Sequence, residues 1–314
     1  MISSSNILEN HPALKVDQLQ KQFGKTEVLR GVNLTIETGA IHGLVGLNGA
    51  GKTTALQCIL GLQAYNSGEV RVLNFKPNKL FQSNGRVAVV FDEPCLHGHL
   101  TVSQVLELAQ ISSGLLPTKY DRKKNSSELE ELLGITKYHN FKIRNLSLGN
   151  RRRTSIAQAL VGNPKLIILD EPFNGLDAGG VDDVLALIKQ LNQEKGITFL
   201  LASHQLSYLE KICSHMAFLH HGKIIISDTV STLLSSKRTR ITLNTNDNER
   251  CCTILAKLPG VREISLQDSL SCELEGKSSA EVNRFLIENN IDVFELVQQK
   301  TSLENLFREL TRDS

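Results

Sequence analysis

A glycine-rich loop in the first fifth of the chain carries the residue types that bind phosphate. The sequence Gly-Leu-Asn-Gly-Ala-Gly-Lys-Thr occupies residues 46–53, after an apolar run at residues 41–45 and before a helical pattern at residues 54–62. Glycines let backbone amides approach an anion, and a helix N-terminus favours negative charge. The spacing predicts a nucleotide phosphate site in which Lys52 neutralises charge and the hydroxyl of Thr53 reaches Mg²⁺.

Two carboxylates follow a second apolar run. Residues 166–169 read Leu-Ile-Ile-Leu, and Asp170 and Glu171 come directly after them. Taken alone, this pair is equally compatible with the first turn of a helix, which Asp and Glu favour. Beside a phosphate loop, it predicts a hydrolytic site in which Asp170 holds Mg²⁺, directly or through water, and Glu171 is the general base.

The elements that must position these residues alternate between apolar strands and helices. Near-continuous Val, Ile and Leu runs are typical of strands that are covered on both faces. The region 13–235 is therefore predicted to be an α/β domain with a largely parallel sheet. Its strand candidates lie at residues 41–45, 87–91, 166–169 and 198–202, and helix candidates at residues 101–110 and 152–161.

A region with a different pattern of predicted strands and helices follows a Ser-rich, basic linker at residues 235–238. Short strand patterns and helical patterns alternate there in the order β-α-β-β-α-β, with one more helix at the end. This order predicts a small α+β domain of the ferredoxin-like type over residues 236–314. Residues 1–12 are predicted to be a flexible tail, because they lack the basic start and apolar core of a secretory signal.

Composition argues against several other classes. No apolar run approaches the roughly 20 residues of a transmembrane helix, so the chain is not expected to cross a membrane. The formal charge is +2 and only 5% of residues are aromatic, which gives no indication of a nucleic-acid partner. The six cysteines and nine histidines show no metal-ligand spacing and are interpreted as ordinary core or surface groups.

Three further segments link these motifs to a known family. Asn-Leu-Ser-Leu-Gly-Asn-Arg occupies residues 145–151, Asn-Gly-Leu-Asp occupies residues 174–177, and Ser-His occupies residues 203–204. The first resembles the ABC signature, usually Leu-Ser-Gly-Gly-Gln, and the others resemble the D-loop and the switch histidine of the same ATPases. The ordered set, over roughly residues 16–231, resembles the ATP-binding subunit of an ABC transporter.

The resemblance implies an ABC-type nucleotide-binding domain with a helical subdomain, and ATP and Mg²⁺ as its ligands. It implies that Glu171 and His204 are catalytic and that Thr53 and Asp170 bind Mg²⁺. It implies nucleotide contacts from Phe23, which would stack on adenine, and from Asn48, Gly49, Gly51, Lys52, Thr53, Thr54, Asp92, Ser147, Gly149 and Asp177.

The resemblance also implies partners. One is a second ATPase subunit, expected as a homodimer rather than a heterodimer, in which each site joins the Lys52 loop of one copy to Ser147 of the other. The other is a separate transmembrane permease, which would hold the protein at the cytoplasmic face of the membrane. Residues 302–307 resemble the tail of subunits that serve peptide, bacteriocin or antibiotic exporters, so export of such a compound, or of a hydrophobic one, is expected. Import, a regulatory module that binds ATP without turnover, and a non-transport ABC protein are the alternatives.

The sequence departs from the family pattern at several positions. Asp92 stands where glutamine, or sometimes glutamate, is usual in the family, and it would place a shorter, charged side chain near phosphate. If the alignment is shifted by one residue, Glu93 occupies the glutamine position instead. Leu148 replaces a signature glycine, and Asn150 replaces glutamine. The three arginines at residues 151–153 are predicted to lie on a solvated helix face.

Overall fold

The computed structural model describes residues 11–93, 95–115, 118–234, 238–266, 269–299 and 303–312. Residues 1–10 of the predicted tail and residues 235–237 of the predicted linker lie outside this set. The chain divides into two compact units, Met1–Val230 and Ser231–Ser314. None of the helices in the described ranges is both long and apolar enough to span a bilayer.

The first unit contains two sheets and a group of helices. Its strands are β1 (Leu14–Phe23), β2 (Thr26–Ile36), β3 (Ile41–Val45), β4 (Ser67–Val72), β5 (Val87–Val90), β6 (Leu166–Asp170), β7 (Thr198–Ser203), β8 (His215–His220) and β9 (Lys223–Thr229). Its helices are α1 (Lys52–Ile59), α2 (Val102–Ser113), α3 (Lys119–Leu132), α4 (Leu148–Leu160), α5 (Ala178–Lys195) and α6 (Leu206–Leu209), and α7 (Val230–Leu234) begins at the boundary. Short 3-10 helices lie at Pro77–Ser83, Thr136–Tyr138 and Ile143–Asn145.

The larger sheet has six strands in the order β5-β6-β7-β3-β8-β9. All neighbours from β5 to β8 are parallel, and β9 runs antiparallel to β8. Every residue of β3, β6 and β7 is buried, as their apolar composition predicts for strands covered on both faces. The predicted α/β fold with a largely parallel sheet is confirmed. Because the strands are parallel, the segments after β3, β6 and β7 leave the sheet at one edge.

The smaller sheet is antiparallel, with the order β2-β1-β4. Its inward side chains, including Leu14, Leu29 and Val72, belong to the same hydrophobic core as Leu44 of β3 and Leu56 of α1. This core holds α1 between the two sheets. The phosphate loop before α1 is therefore anchored by elements on both sides.

Three helices, α2, α3 and α4, pack against one another, and α4 also packs against β5. Thr101 caps α2: its hydroxyl accepts from the Gln104 amide at 3.2 Å, and the Gln104 side chain accepts from the Thr101 amide at 2.9 Å. The prediction that residues 151–153 lie on a solvated face was wrong for Arg152, whereas Arg151 and Arg153 are half-buried. Arg152 is 1% exposed, because its face of α4 is covered by β5 and the adjoining segment.

The second unit is a four-stranded sheet with helices. Its elements follow in the predicted order: β10 (Arg238–Thr245), α8 (Asn248–Leu255), β11 (Val261–Ser265), β12 (Leu270–Glu275), α9 (Ser279–Glu288), β13 (Val293–Gln299) and α10 (Leu303–Arg312). The strand order is β11-β12-β10-β13, and all neighbours are antiparallel. A core that includes Ile241, Cys251, Leu270, Cys272 and Leu286 lies within this unit.

Candidate functional site

The glycine-rich loop connects β3 to α1 and is shaped by three glycines. A side chain at Gly46 would place its Cβ 2.6 Å from the carbonyl oxygen of Leu219 in β8. Gly49 and Gly51 have φ angles of +85° and +105°, a region that side chains rarely allow. Gly51 is the N-cap of α1, which begins at Lys52, two residues before the predicted start. The loop thus brings bare backbone and a helix N-terminus together, as phosphate binding requires.

The ammonium of Lys52 is buried in this loop. Its Nζ donates to the carbonyl oxygen of Gly46 at 2.7 Å and to that of Leu47 at 3.4 Å. It also forms an ion pair with Glu171, with Nζ 3.2 Å from Oε1. The side chains are 6% and 11% exposed, respectively, so water screens this pair weakly. A phosphate in the loop would meet a cation that is already in place.

Asp170, the last residue of β6, faces the start of α1. The hydroxyl of Thr53 donates to its Oδ2 at 3.1 Å. Its Oδ1 is buried and has no hydrogen-bond partner among the described residues. Burial raises the pKa of this carboxyl and outweighs the opposing hydrogen bond from Thr53.

A buried carboxylate oxygen without a donor is costly unless a cation satisfies it. Asp170 and Thr53 provide the oxygen ligands that Mg²⁺ prefers, so the site fits this ion. Mg²⁺ bound there would neutralise and polarise phosphate oxygens.

Glu171 turns out of the strand into the site. Its φ of +45° is unusual for a residue with a side chain, and its amide donates to the carbonyl oxygen of Ala202 at 2.8 Å. Oε2 accepts from the Ser203 hydroxyl at 2.9 Å and from Nδ1 of His204 at 3.0 Å. Burial alone would raise the pKa of Glu171, but the hydrogen bonds from His204 and Ser203 and the charge of Lys52 together lower it. The carboxylate is therefore ionised and held by donors, in the form that a base needs.

His204 follows β7, where the sequence places it. An ionised carboxylate only accepts hydrogen bonds, so Nδ1 of His204 carries the proton that points to Glu171. The ring is 37% exposed, which leaves it accessible to a ligand at this edge of the sheet.

Asp92 joins the same cluster through amide side chains. Its Oδ2 accepts from Nδ2 of Asn174 at 3.2 Å, and Oδ1 of Asn174 accepts from Nε2 of Gln205 at 3.1 Å. The main-chain amide of Gln205 in turn donates to the hydroxyl of Ser203 at 3.1 Å. Since this chain of contacts runs through Asp92, the structure favours Asp92 over Glu93 as the residue that faces the site.

Arg152 is a member of the site that the sequence analysis missed. Its Nη1 donates to the carbonyl oxygen of Phe91 at 2.7 Å and its Nη2 to that of Asp92 at 2.7 Å. Nη2 also lies 3.5 Å from Oδ1 of Asp92 and 3.4 Å from the carbonyl oxygen of Glu171. One signal was available: Arg152 lies four residues after Leu148 and four before Ile156, on the apolar stripe of α4.

The remaining predicted residues surround this centre or cap helices. Ser147, exposed at the N-cap of α4, accepts from Nδ2 of Asn150 at 3.0 Å. Asp177, exposed at the N-cap of α5, accepts from the Gly180 amide at 2.9 Å. A Cβ on Gly149 would lie 3.7 Å from the side chain of Leu176, so the starts of the two segments are neighbours.

The predicted adenine platform, Phe23, is 46% exposed at the end of β1. The Nζ of Lys21 lies 4.5 Å from its ring centroid. Asn48 is exposed at the tip of the phosphate loop, and Thr54 is half-buried in the first turn of α1.

Comparisons with known proteins agree with this geometry. The family model described as ABC transporter matches residues 29–174. The chain is 30% identical over 301 residues to the bacitracin transport ATP-binding protein BcrA of Enterococcus faecalis, a match that covers 95% of this chain and 96% of that one. The chain belongs to the ATP-binding proteins of ABC transporters. This confirms the predicted family.

Two further comparisons extend the assignment. The ABC protein is 32% identical over 231 residues to the methionine import ATP-binding protein MetN of Clostridioides difficile (strain 630), covering 72% of this chain and 71% of that one. It also resembles a dimeric ATP-binding cassette in a post-hydrolysis state bound to ADP and Pi, with a TM-score of 0.63 and 27% identity over 69% of this chain and 98% of that one. It is an ATP-binding subunit of an ABC transporter, from a family of ATPases that dimerise and work with membrane permeases.

Proposed function

We propose that this subunit hydrolyses ATP with Mg²⁺ and thereby drives a separate membrane permease. One observation carries the proposal: a continuous set of contacts joins the phosphate-loop residues Lys52 and Thr53 to Asp170, Glu171 and His204. Cation, metal ligand and base thus meet at one edge of the sheet, where α/β proteins place their ligands.

In the proposed reaction, a water oxygen attacks the γ-phosphorus of ATP while the bond to the β-phosphate oxygen breaks. Glu171 accepts the proton that the water loses, and His204 and Ser203 hold its carboxylate in position. Lys52, once a phosphate shares it with Glu171, stabilises the negative charge on the phosphate oxygens. The products are ADP and phosphate.

We propose that two copies act as a homodimer, with Ser147 of one copy facing the phosphate loop of the other. Ser147 and Gly149 lie at the N-terminus of α4, where backbone amides favour an anion, and Ser147 is exposed. The dimeric state of the similar cassette supports a dimer.

We propose that the transport direction is export, of a peptide, an antibiotic or a hydrophobic compound, from the cytoplasmic face of the membrane. The bacitracin transport protein matches 95% of this chain, whereas the methionine import protein matches 72%. The second unit, whose antiparallel order β11-β12-β10-β13 supports a ferredoxin-like fold, is proposed to be an accessory regulatory domain.

The test is Mg²⁺-dependent ATP hydrolysis by the purified chain beside Glu171→Gln, with oligomeric state followed by size exclusion. Turnover by the wild type, and an ATP-bound dimer without turnover in the variant, would support the motor and the base assignment. ATP binding without turnover by the wild type, with its permease present in membranes, would refute them. Uptake and efflux assays in vesicles that contain the permease then decide the direction.

A further inference from the structure

A buried guanidinium holds together two segments that carry the chemistry. Arg152 is 1% exposed, yet it belongs to α4, whose N-cap is Ser147. Its two terminal nitrogens contact the main chain at Phe91 and Asp92 on one side and at Glu171 on the other. A side chain with five donors in a rigid plane is suited to such a junction, and a lysine is not.

The contact with Glu171 bears on the geometry of the proposed base. Residue 171 has a φ of +45°, and both of its main-chain polar groups are bonded: the amide donates to Ala202, and the carbonyl oxygen accepts from Arg152 at 3.4 Å and from the main-chain amide of Asn174 at 3.3 Å. A conformation of this kind persists only when its surroundings fix it. Arg152 is one of the groups that fix it.

The contact with Asp92 places the positive charge of Arg152 beside a negative charge. Burial lowers the pKa of Arg152, and the carboxylate of Asp92 opposes that effect. The Asp92 carboxylate is 48% exposed, and it accepts from Asn174 as well as lying 3.5 Å from Arg152. The negative charge of Asp92 is thus paired within the protein.

We infer that Arg152 is a positioning residue for ATP hydrolysis, and that Asp92 and Arg152 act as one unit that keeps Glu171 in place. The inference rests on the proposed ATPase function. The described hydrogen bonds and ion pair of Arg152 go to Phe91, Asp92 and Glu171, and the charge of Asp170 acts on it without a hydrogen bond. Its loss should therefore slow turnover more than it weakens nucleotide binding.

The same helix supplies a matched control. Arg153, the next residue, forms an ion pair with Asp183 and donates to the carbonyl oxygen of Leu133 at 3.2 Å. It carries the same guanidinium group as Arg152 but contacts the C-cap of α3 and a residue of α5 rather than the site. Arg153→Gln therefore reports the cost of removing a helix cation without touching Glu171.

The experiment compares Arg152→Gln, Arg152→Lys, Asp92→Asn, the double variant Asp92→Asn with Arg152→Gln, and Arg153→Gln. For each, kcat and KM for ATP, equilibrium binding of a fluorescent ATP analogue, and the calorimetric Tm are measured. We expect Arg152→Gln to lower kcat about 10- to 100-fold, as small misplacements of catalytic groups do, with affinity within about threefold. Asp92→Asn is expected to lower kcat about three- to tenfold, and the double variant to lose less than the product of the two single losses.

Arg153→Gln should keep kcat within about twofold of the wild-type value, even if the substitution changes the Tm. Because Asp92 is exposed, Asp92→Asn keeps the test valid even if the Arg152 variants fold poorly. An unchanged kcat in Asp92→Asn and in folded Arg152→Lys, or equal losses of kcat and ATP affinity, would overturn the inference. A wild type without turnover would instead refute the proposed function, and the inference with it.

Discussion

Neutralising the two adjacent carboxylates, one at a time, should change the stability of the nucleotide-free protein in opposite directions. Burial raises the pKa of Asp170, so the folded state disfavours its charge. The bonds from His204 and Ser203 and the charge of Lys52 lower the pKa of Glu171 despite burial, so the folded state favours that charge. Asp170→Asn should therefore stabilise the protein, and Glu171→Gln should destabilise it.

The size of the Glu171 effect follows from its partners. The carboxylate accepts from Ser203 and His204 and forms an ion pair with Lys52, whereas an amide has one acceptor oxygen and turns an NH₂ group toward donors. Hydrogen bonds to charged groups contribute about 1.5–3 kcal/mol each. Since Lys52 keeps its bond to Gly46, we expect a net loss of about 1.5–3 kcal/mol, or a fall in Tm of roughly 3–12 °C for a unit of this size.

For Asp170→Asn we expect the Tm to rise by roughly 2–4 °C, the change that about 1 kcal/mol produces in a unit of this size. The amide can still accept from Thr53, and the unpaired negative oxygen is gone. Both substitutions should abolish Mg²⁺-dependent turnover; for a general base the loss is about 10²- to 10⁴-fold. Asp170→Asn would then be more stable and inactive.

Differential scanning calorimetry is the suitable assay, because the chain has no tryptophan and only 4 tyrosines for fluorescence. The transition that shifts with Mg²⁺ and ATP belongs to the first unit. Glu37→Gln, which alters an exposed carboxylate, is the control and should leave the Tm unchanged. A shift of the same sign for the Asp170 and Glu171 variants would refute the reasoning.

Three further outcomes are expected. Phe23→Ala should weaken ATP binding about tenfold in a binding titration and leave kcat at saturating ATP unchanged. The reason is that the exposed ring, which lies against the ammonium of Lys21, is proposed to stack on adenine. An unchanged affinity for ATP would exclude this role for Phe23. Gly46→Ala should lower the calorimetric Tm and the affinity for ATP together, because the new Cβ would lie 2.6 Å from the Leu219 carbonyl oxygen. A variant with the Tm and the affinity of the wild type would contradict this close approach. The stability that ionised Glu171 contributes is present above its ordinary pKa of 4.5 and is lost as the pH falls through its lowered pKa. The difference in Tm between the wild type and Glu171→Gln should therefore disappear only below pH 4.5. Its disappearance near neutral pH would contradict this prediction.

The parts of the site that sequence predicted are those fixed by local chemistry. The phosphate loop needs glycines where φ is positive, as at Gly51, and a lysine at the helix start, and these requirements are visible in eight consecutive residues. Asp170 and Glu171 were found because they directly follow the apolar run at residues 166–169, although the buried strand itself extends to Asp170. The boundaries were less accurate: α1 begins at Lys52, two residues before the predicted start, with Gly51 as its N-cap.

Contacts between distant segments could not be predicted in this way. Arg152 was assigned to a solvated face because basic residues usually lie there, yet its partners at Phe91 and Asp92 are about 60 residues away in sequence. The link from Asp92 through Asn174 to Gln205 likewise joins segments after β5, β6 and β7. Such pairs exist only once the parallel sheet has brought the strand ends to one edge.

Two departures from the family pattern have partners inside the same fold. Leu148, where the signature usually has glycine, lies over Gly175: a Cβ at Gly175 would be 2.5 Å from its Cδ2. Asp92, where glutamine is usual, lies beside Arg152. In each case the unusual residue contacts a residue that gives it room or balances its charge. At these two positions, therefore, the departures from the family pattern are compatible with the family fold.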